Sequence, residues 1–372
     1  MCANSFSEET GAGGGAAYAR RMRSGGRLRL GLAAIASVIA VWGSLQLAAP
    51  ATSGRSAASP SAPVTIAFAG DIALLGPAPS SIFAGVRGQL RRADVAIGNL
   101  EGTLSSGGTS KCGRHSTGCF AFQSPPLSAG LLRGAGLDDL NVANNHAFDY
   151  GASGQQQTLR ALARYKLRWS GRPGQITVLG MHGVRVAVLG FAPYPWAQSL
   201  TDIPAAQALV QRAAARADIV IAVLHAGAEG ADHQHVPAGT EYYLGENRGN
   251  ERQFAHALAV AGADLVVASG PHVLRGLQLF HHTPIAYSVG NFATAGHALS
   301  TGGVLGAGAI VVVTLGADGT LVSGRLVPVQ MVGGAPRRTA AGDNLRRLNA
   351  LSHEDFGGSA LLTTNSGTLR VG

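Results

Sequence analysis

The chain has 372 residues, of which 46% are hydrophobic and 13% charged, and a formal net charge of +9. That apolar content supports a sizeable core in one large or two ordinary domains and excludes a disordered chain. The charge is not a nucleic-acid footprint, because it collects at the ends. Arg20, Arg21, Arg23, Arg27 and Arg29 precede an apolar run, and Arg325, Arg337, Arg338, Arg346, Arg347 and Arg370 are scattered behind the main domain. No basic and aromatic stripe lies between them.

Residues 30–49 are uncharged and interrupted only by Gly31, Ser37, Gly43, Ser44 and Gln46. A membrane-crossing helix needs about 20 apolar residues, so this run predicts a transmembrane anchor or an export signal. The arginines before it place residues 1–29 in the cytoplasm and the rest outside, giving a single-pass membrane protein with an extracytoplasmic domain. Cleavage near Ala49, Pro50 and Ala51 would release a secreted form instead. Residues 50–63 read as a Ser, Ala, Pro and Gly spacer. Residues 64–335 then form the main domain and 336–372 a C-terminal extension.

Within the domain, residues 64–69 predict a strand closed by Gly70 and Asp71. Ile82, Val86 and Leu90 have helical spacing, and residues 95–98 predict the next strand, ending in Asn99 and Glu101. A loop rich in Ser, Gly and Thr follows, with Cys112 and Cys119 in it. Two nearby cysteines in an exported loop read as a disulfide; as metal ligands they would lack a second pair. Residues 127–135 predict a helix and 140–143 a strand. Ser153 and Gln156 resemble a capping box before Leu159, Leu162 and Leu167. Residues 176–179 and 184–191 predict a hairpin around Met181, His182 and Gly183. After a helix at 204–216 comes the continuous apolar run 219–224, the pattern of a fully buried strand, ending at His225. A helix at 254–261, a strand at 265–268, a run at 285–289 leading into Gly290 and Asn291, and a β-pair at 311–315 and 321–329 complete the domain. His281 and His282 read as hairpin-turn residues, and His233 and His235 as solvated groups. Alternating strands and helices predict an α/β layered fold around a mixed sheet.

Strand ends carry the chemistry. Asp71, Glu101, Asn145, His225 and His272 offer carboxylate, amide and imidazole ligands without thiolate, a set suited to zinc, manganese or iron. One or two such ions would activate water and stabilise developing negative charge. The sequence holds no G-x-S-x-G elbow and no phosphate-binding loop, and Gly11–Gly15 has no strand before it.

In order, Gly70-Asp71-Ile72, Gly98-Asn99-Leu100-Glu101-Gly102, the run from Ala143 to Gly151, His225 to Glu229, Ser269 to Val273 and Ser288 to Phe292 resemble the CapA family of capsule-synthesis proteins. That family belongs to the calcineurin-like metallophosphoesterase superfamily. The resemblance implies a four-layer αββα sandwich with its site on loops at one edge. It also implies a role in poly-γ-glutamate synthesis or export at the cell surface, as a metal-dependent hydrolase or transferase. It makes Asp71, Asn145, His225 and His272 metal ligands, with Glu101 a further one, and His146 the catalytic group. Asn99, Asn144, Asp149, Glu229 and Asn291 are the expected substrate-binding residues. The expected partners are an anionic polymer or phosphate ester, the membrane, and other capsule-synthesis membrane proteins. Ala73 and Asn99 stand where the superfamily would place a histidine and a bridging aspartate, which points to one ion or a weak second one. A non-catalytic, polymer-binding assembly factor that keeps part of the site is the alternative.

Overall fold

The computed structural model describes residues 62–113, 118–340 and 342–372. The basic segment, the apolar run at 30–49 and nearly all of the spacer lie outside them, so the expected membrane segment is not among the described residues. Among the described residues, no helix is long and apolar enough to cross a membrane.

Period-two apolar patterning builds two sheets that share one core. In Val64–Leu74, Ile66 and Phe68 point into a cluster with Ile219, Ile221 and Val223 of Ile219–His225 and Val186 and Val188 of Val184–Phe191. The intervening residues face the other way: Ala67 and Ala69 meet Leu132 of the helix Ser128–Ala135 and Leu162 of the helix Gly151–Arg164. On the second sheet, Val220, Ala222 and Leu224 meet Leu209 of Ile203–Ala214 and Phe254 of Glu251–Val260. Strands buried on both faces therefore read as continuous apolar runs, and the layers follow as helix, sheet, sheet, helix.

The first sheet has eight strands, in the order Ala335–Arg338, Leu321–Val332, Ala307–Leu315, Val64–Leu74, Val95–Leu100, Asp139–Asn141 and Arg168–Ser170, with Asn291–Ala295 pairing the end of Val64–Leu74. The second has six, in the order Leu277–Phe280, Thr283–Ala286, Leu265–Ser269, Ile219–His225, Val184–Phe191 and Thr177–Met181. Val64–Leu74, Val95–Leu100 and Asp139–Asn141 run parallel, as do Val184–Phe191, Ile219–His225 and Leu265–Ser269. Their C-terminal ends collect the loops that carry the candidate site, the usual position for ligands in parallel sheets.

Several local readings change. The first strand does not stop at Asp71 but continues to Leu74, with irregular register around Asp71 against both neighbours. Ile82, Val86 and Leu90 are buried, yet only Arg87–Leu90 is helical. A side chain at Gly85 would press on Pro336 O at 2.8 Å, so this stretch packs as tight turns. Ser153 lies inside the helix Gly151–Arg164 and caps nothing; Gly151, at φ 62°, makes the entry turn instead. The helix Asp343–Phe356, which the pattern reading passed over, sends Leu345 and Leu348 into the inter-sheet core, so residues after 335 are built into the fold. Cys112 and Cys119 are joined as a disulfide.

Candidate metal centre

Asp71 sits where its strand shifts register, opposite Asn99 on one side and Asn291 on the other. Its carboxylate is fully buried. Oδ1 accepts from Asn99 Nδ2 at 2.7 Å and Oδ2 from the backbone N–H of Gly270 at 3.2 Å. His272 Nδ1 lies 3.2 Å from Oδ2 and His225 Nδ1 3.8 Å from Oδ1. Burial would raise this carboxyl, but the hydrogen bond and charge of His272, with His225 adding, hold it below its ordinary value.

Glu101 follows the second strand and is wholly enclosed. Its Oε1 is 3.7 Å from His225 Nε2 and 3.6 Å from His272 Nε2. Among the described residues, neither carboxylate oxygen has a hydrogen-bond partner, and the same is true of the buried His225 Nε2 and Asn145 Oδ1. Burial pushes Glu101 well above the usual carboxylate range, with His272 opposing and Asp71 and Glu229 reinforcing the rise. A buried carboxylate with no donor is costly unless a cation meets it. Asp71, Glu101 and His272 bring one ligand atom each to within 4.8 Å of one another. Two buried carboxylates, one of them with unpaired oxygens, and the His272 imidazole brought this close together fit a divalent cation.

His272 itself is held in the left-handed region, at φ 62°, after Gly270 and Pro271. Its Nδ1 is 2.9 Å from Asn291 Oδ1, and its Nε2 lies 3.6 Å from Glu229 Oε2. Burial works against its charged form, but Glu101, Asp71 and Glu229 together raise it well above an ordinary histidine. His225, by contrast, is pushed down to about 3 by burial. Glu229 accepts from Arg248 Nη1 at 2.7 Å and from Asn145 Nδ2 at 3.2 Å. Burial would raise it; His272 and Arg248 hold it far below its ordinary value.

Beside this cluster, one residue past Asn145, stands His146. Its Nδ1 is 2.7 Å from Asp149 Oδ2, and its ring stacks on Phe122 with centroids 4.1 Å apart. Asp149 is gripped from the disulfide loop: Lys111 Nζ lies 2.7 Å from Oδ1, and the Phe122 N–H donates to Oδ2 at 2.6 Å. Burial lowers the His146 pKa, against the pull of Asp149. Trp196 Nε1 donates to Asn144 O at 2.9 Å, and Trp196 stacks on both Phe148 and Tyr194 at 5.2 Å.

The structure therefore gathers Asp71, Glu101, His225, His272 and Glu229 in one pocket of charge, with Asn145 at its edge and His146 on the adjoining loop. Asn99, Asn144, Asp149 and Asn291 are buried and bonded to protein atoms, so they support the groups around them. Arg248 and Lys111 were missed. Arg248 lies in the polar run 246–249 and Lys111 beside Cys112, where an isolated cation carries no pattern, and only the acidic partner found in space reveals its role.

The chain is 30% identical over 229 residues to the PGA biosynthesis protein CapA of Bacillus subtilis, covering 57% of this chain and 56% of that protein. It is 32% identical over 183 residues to the capsule biosynthesis protein CapA of Bacillus anthracis, covering 43% and 41%. The chain thus spans about half the length of these relatives. A 5'-nucleotidase precursor of Thermus thermophilus is similar in structure at a TM-score of 0.44 and 12% identity, over 74% of this chain and 56% of that one. The family model described as bacterial capsule synthesis protein PGA_cap matches residues 65–295, and with more than half of its length inside that match the chain belongs to the PGA_cap family.

Proposed function

We propose that the chain works in capsule polymer synthesis or export as a metal-dependent hydrolase or transferase, anchored by residues 30–49 with its domain outside the cytoplasmic membrane. The observation that carries this reading is the adjacency of two buried devices on one loop. Asn145 borders the carboxylate and imidazole cluster, and His146 is backed by Asp149 and Lys111. A divalent ion, manganese, zinc or iron, would be held by Asp71, Glu101 and His272, with the free Asn145 Oδ1 nearby. When bound, it would supply positive charge against the negative charge developing on a phosphoryl or carbonyl oxygen.

The chain's own residues supply the proton chemistry. Asp149 Oδ2 accepts a hydrogen bond from His146 Nδ1–H, which leaves Nε2 as the atom that exchanges a proton with substrate. Burial lowers the pKa of that ring, against the pull of Asp149, and so favours its neutral form. Lys111 pairs with the other oxygen of Asp149 and so fixes the carboxylate that orients the ring. An anionic polymer such as poly-γ-glutamate, or a phosphate ester, suits the family and a site that would hold a divalent cation; other capsule-synthesis membrane proteins are its expected company.

Elemental analysis of the purified protein, paired with turnover of a generic phosphodiester and of a γ-glutamyl polymer, tests the reading. His146→Ala should keep the metal and lose about 10²- to 10⁴-fold in turnover. Metal-free wild-type protein that matches its His272→Ala variant would refute the metal site. Metal without any dependence of turnover on His146 would make the chain a polymer-binding factor. A cytoplasm-only reporter fused after Gly372 should stay silent if the topology is right.

A further inference from the structure

Backbone atoms decide the role of one histidine in the centre through a relay of amides. Asn141 Nδ2 donates to Ala143 O at 3.0 Å while its Oδ1 accepts from Ala143 N at 3.2 Å. Asn144 Nδ2 donates to Leu100 O at 2.8 Å while its Oδ1 accepts from His146 N at 3.1 Å. A backbone N–H only donates and a carbonyl only accepts, so neither amide can be turned over. Both then direct Nδ2 at the same atom, Asn99 Oδ1, at 2.9 and 3.1 Å. The Asn99 nitrogen must therefore lie on the opposite side. One of its hydrogens goes to Asp71 Oδ1 at 2.7 Å, and the other faces His225 Nδ1 at 3.2 Å. Nδ1 is thus an acceptor, and the proton of the neutral ring sits on Nε2, 3.7 Å from Glu101 Oε1.

We infer that Asn99 holds His225 as its Nε2–H tautomer, so that His225 stands beside the metal as a donor facing Glu101 and is not one of its ligands. A ligand nitrogen must offer a lone pair, and Nε2–H has none. Moving the proton to Nδ1 would set it against the Asn99 N–H in a fully enclosed place. Turning Asn99 would set its nitrogen against those of Asn141 and Asn144. His272 is the opposite case. Asn291 Nδ2 donates to Leu305 O at 2.9 Å, so Asn291 Oδ1 faces His272 Nδ1 at 2.9 Å. In the neutral ring that ligation requires, the lone pair is therefore on His272 Nε2, 3.6 Å from Glu101 Oε1. Two histidines at the ends of neighbouring strands are set by two asparagines to opposite duties.

The inference rests on the metal reading above, and its test separates the two. The full chain, stripped of metal, is titrated with Mn²⁺ and the free ion counted by electron paramagnetic resonance. Wild type should bind one ion. His225→Gln, which keeps an N–H donor near the Nε2 position, should bind one ion within about tenfold of wild type. His272→Gln should lose more than the roughly 10- to 100-fold that removal of a supporting partner costs. A His225→Gln loss as large as that of His272→Gln overturns the inference. Independently of metal, nitrogen shifts of ¹⁵N-histidine-labelled protein should show His225 protonated at Nε2. Asn99→Asp, which sets an acceptor against Nδ1, should switch the proton to Nδ1. An Nδ1–H signal in the wild type, or no switch in a folded Asn99→Asp, overturns the tautomer lock even if no Mn²⁺ binds; a wild type that binds no Mn²⁺ while showing Nε2–H sinks the metal reading and leaves the lock standing.

Discussion

Asp139 offers a direct test of how much unrelieved charge the site's scaffold carries. It is fully buried in the strand that leads to Asn141 and Asn144, with Oδ1 accepting from Ser170 Oγ at 2.8 Å and Oδ2 without a hydrogen-bond partner among the described residues. Burial raises its pKa from 3.8 to about 7, with Ser170 opposing and Asp138 adding. Between those values the folded protein holds a proton that the unfolded chain has released. The stability from this group is therefore complete below about pH 4 and is lost as the pH rises through about 7. About three pH units at about 1.4 kcal/mol each set an upper bound of about 4 kcal/mol. In Asp139→Asn the titrating group is gone while the Ser170 contact can persist. The difference in urea unfolding free energy, wild type minus variant, should fall by up to that amount between pH 4 and 8. Parallel curves for the two proteins across this range would show that Asp139 stays ionised in the fold, and the burial argument would fail.

Three further outcomes follow from the same geometry. Gly190→Ala would drive a Cβ into Asn141 Oδ1 and to 2.8 Å from Gly171 Cα, costing about 1–3 kcal/mol as a lower urea midpoint at unchanged m-value. Replacing Cys112 and Cys119 with serine opens a short loop and should cost about 2 kcal/mol in thermal unfolding, with the far-ultraviolet circular dichroism unchanged. Lys111→Met should leave metal content intact and lower turnover by up to about 100-fold as His146 loses its alignment, with Lys111→Arg restoring most of it; equal rates in all three proteins would count against the grip on Asp149.

The strand framework was legible because burial on both faces writes an unmistakable run, as in Ile219–His225, and because paired strands announce themselves around Met181-His182-Gly183 and at 311–315 with 321–329. Asp71, Glu101, His225 and His272 were legible as a group because Glu101, His225 and His272 end or follow a strand and Asp71 sits at the register shift near the end of one, and parallel strands bring such positions together. Helix limits were harder. Ile82, Val86 and Leu90 keep helical spacing without a helix, since burial alone needs only that the three face inward. Ser153 offered a capping pattern, but Gly151, two residues earlier, had already turned the chain. Lys111 and Arg248 could not be read at all, because a cation's meaning lies in a carboxylate distant along the chain. The orientation of Asn99 was hidden for the same reason: it depends on two backbone turns and two other amides.

The stacked rings of Phe148, Trp196 and Tyr194 join a loop of the first sheet to a loop of the second. The candidate ligands are divided in the same way, with Asp71, Glu101 and Asn145 on one layer and His272, beside His225 and Glu229, on the other. A centre split along such a seam acts as a caliper on the two layers. Sliding one sheet over the other by about an ångström would leave every strand and helix intact while spoiling the fit of Glu101 to His272, and the aromatic stack adds to the shared inter-sheet core in bracing the two layers. Ion affinity should then report interlayer alignment before any loss of secondary structure becomes visible, and a bound ion should in turn stiffen the seam that the rings brace.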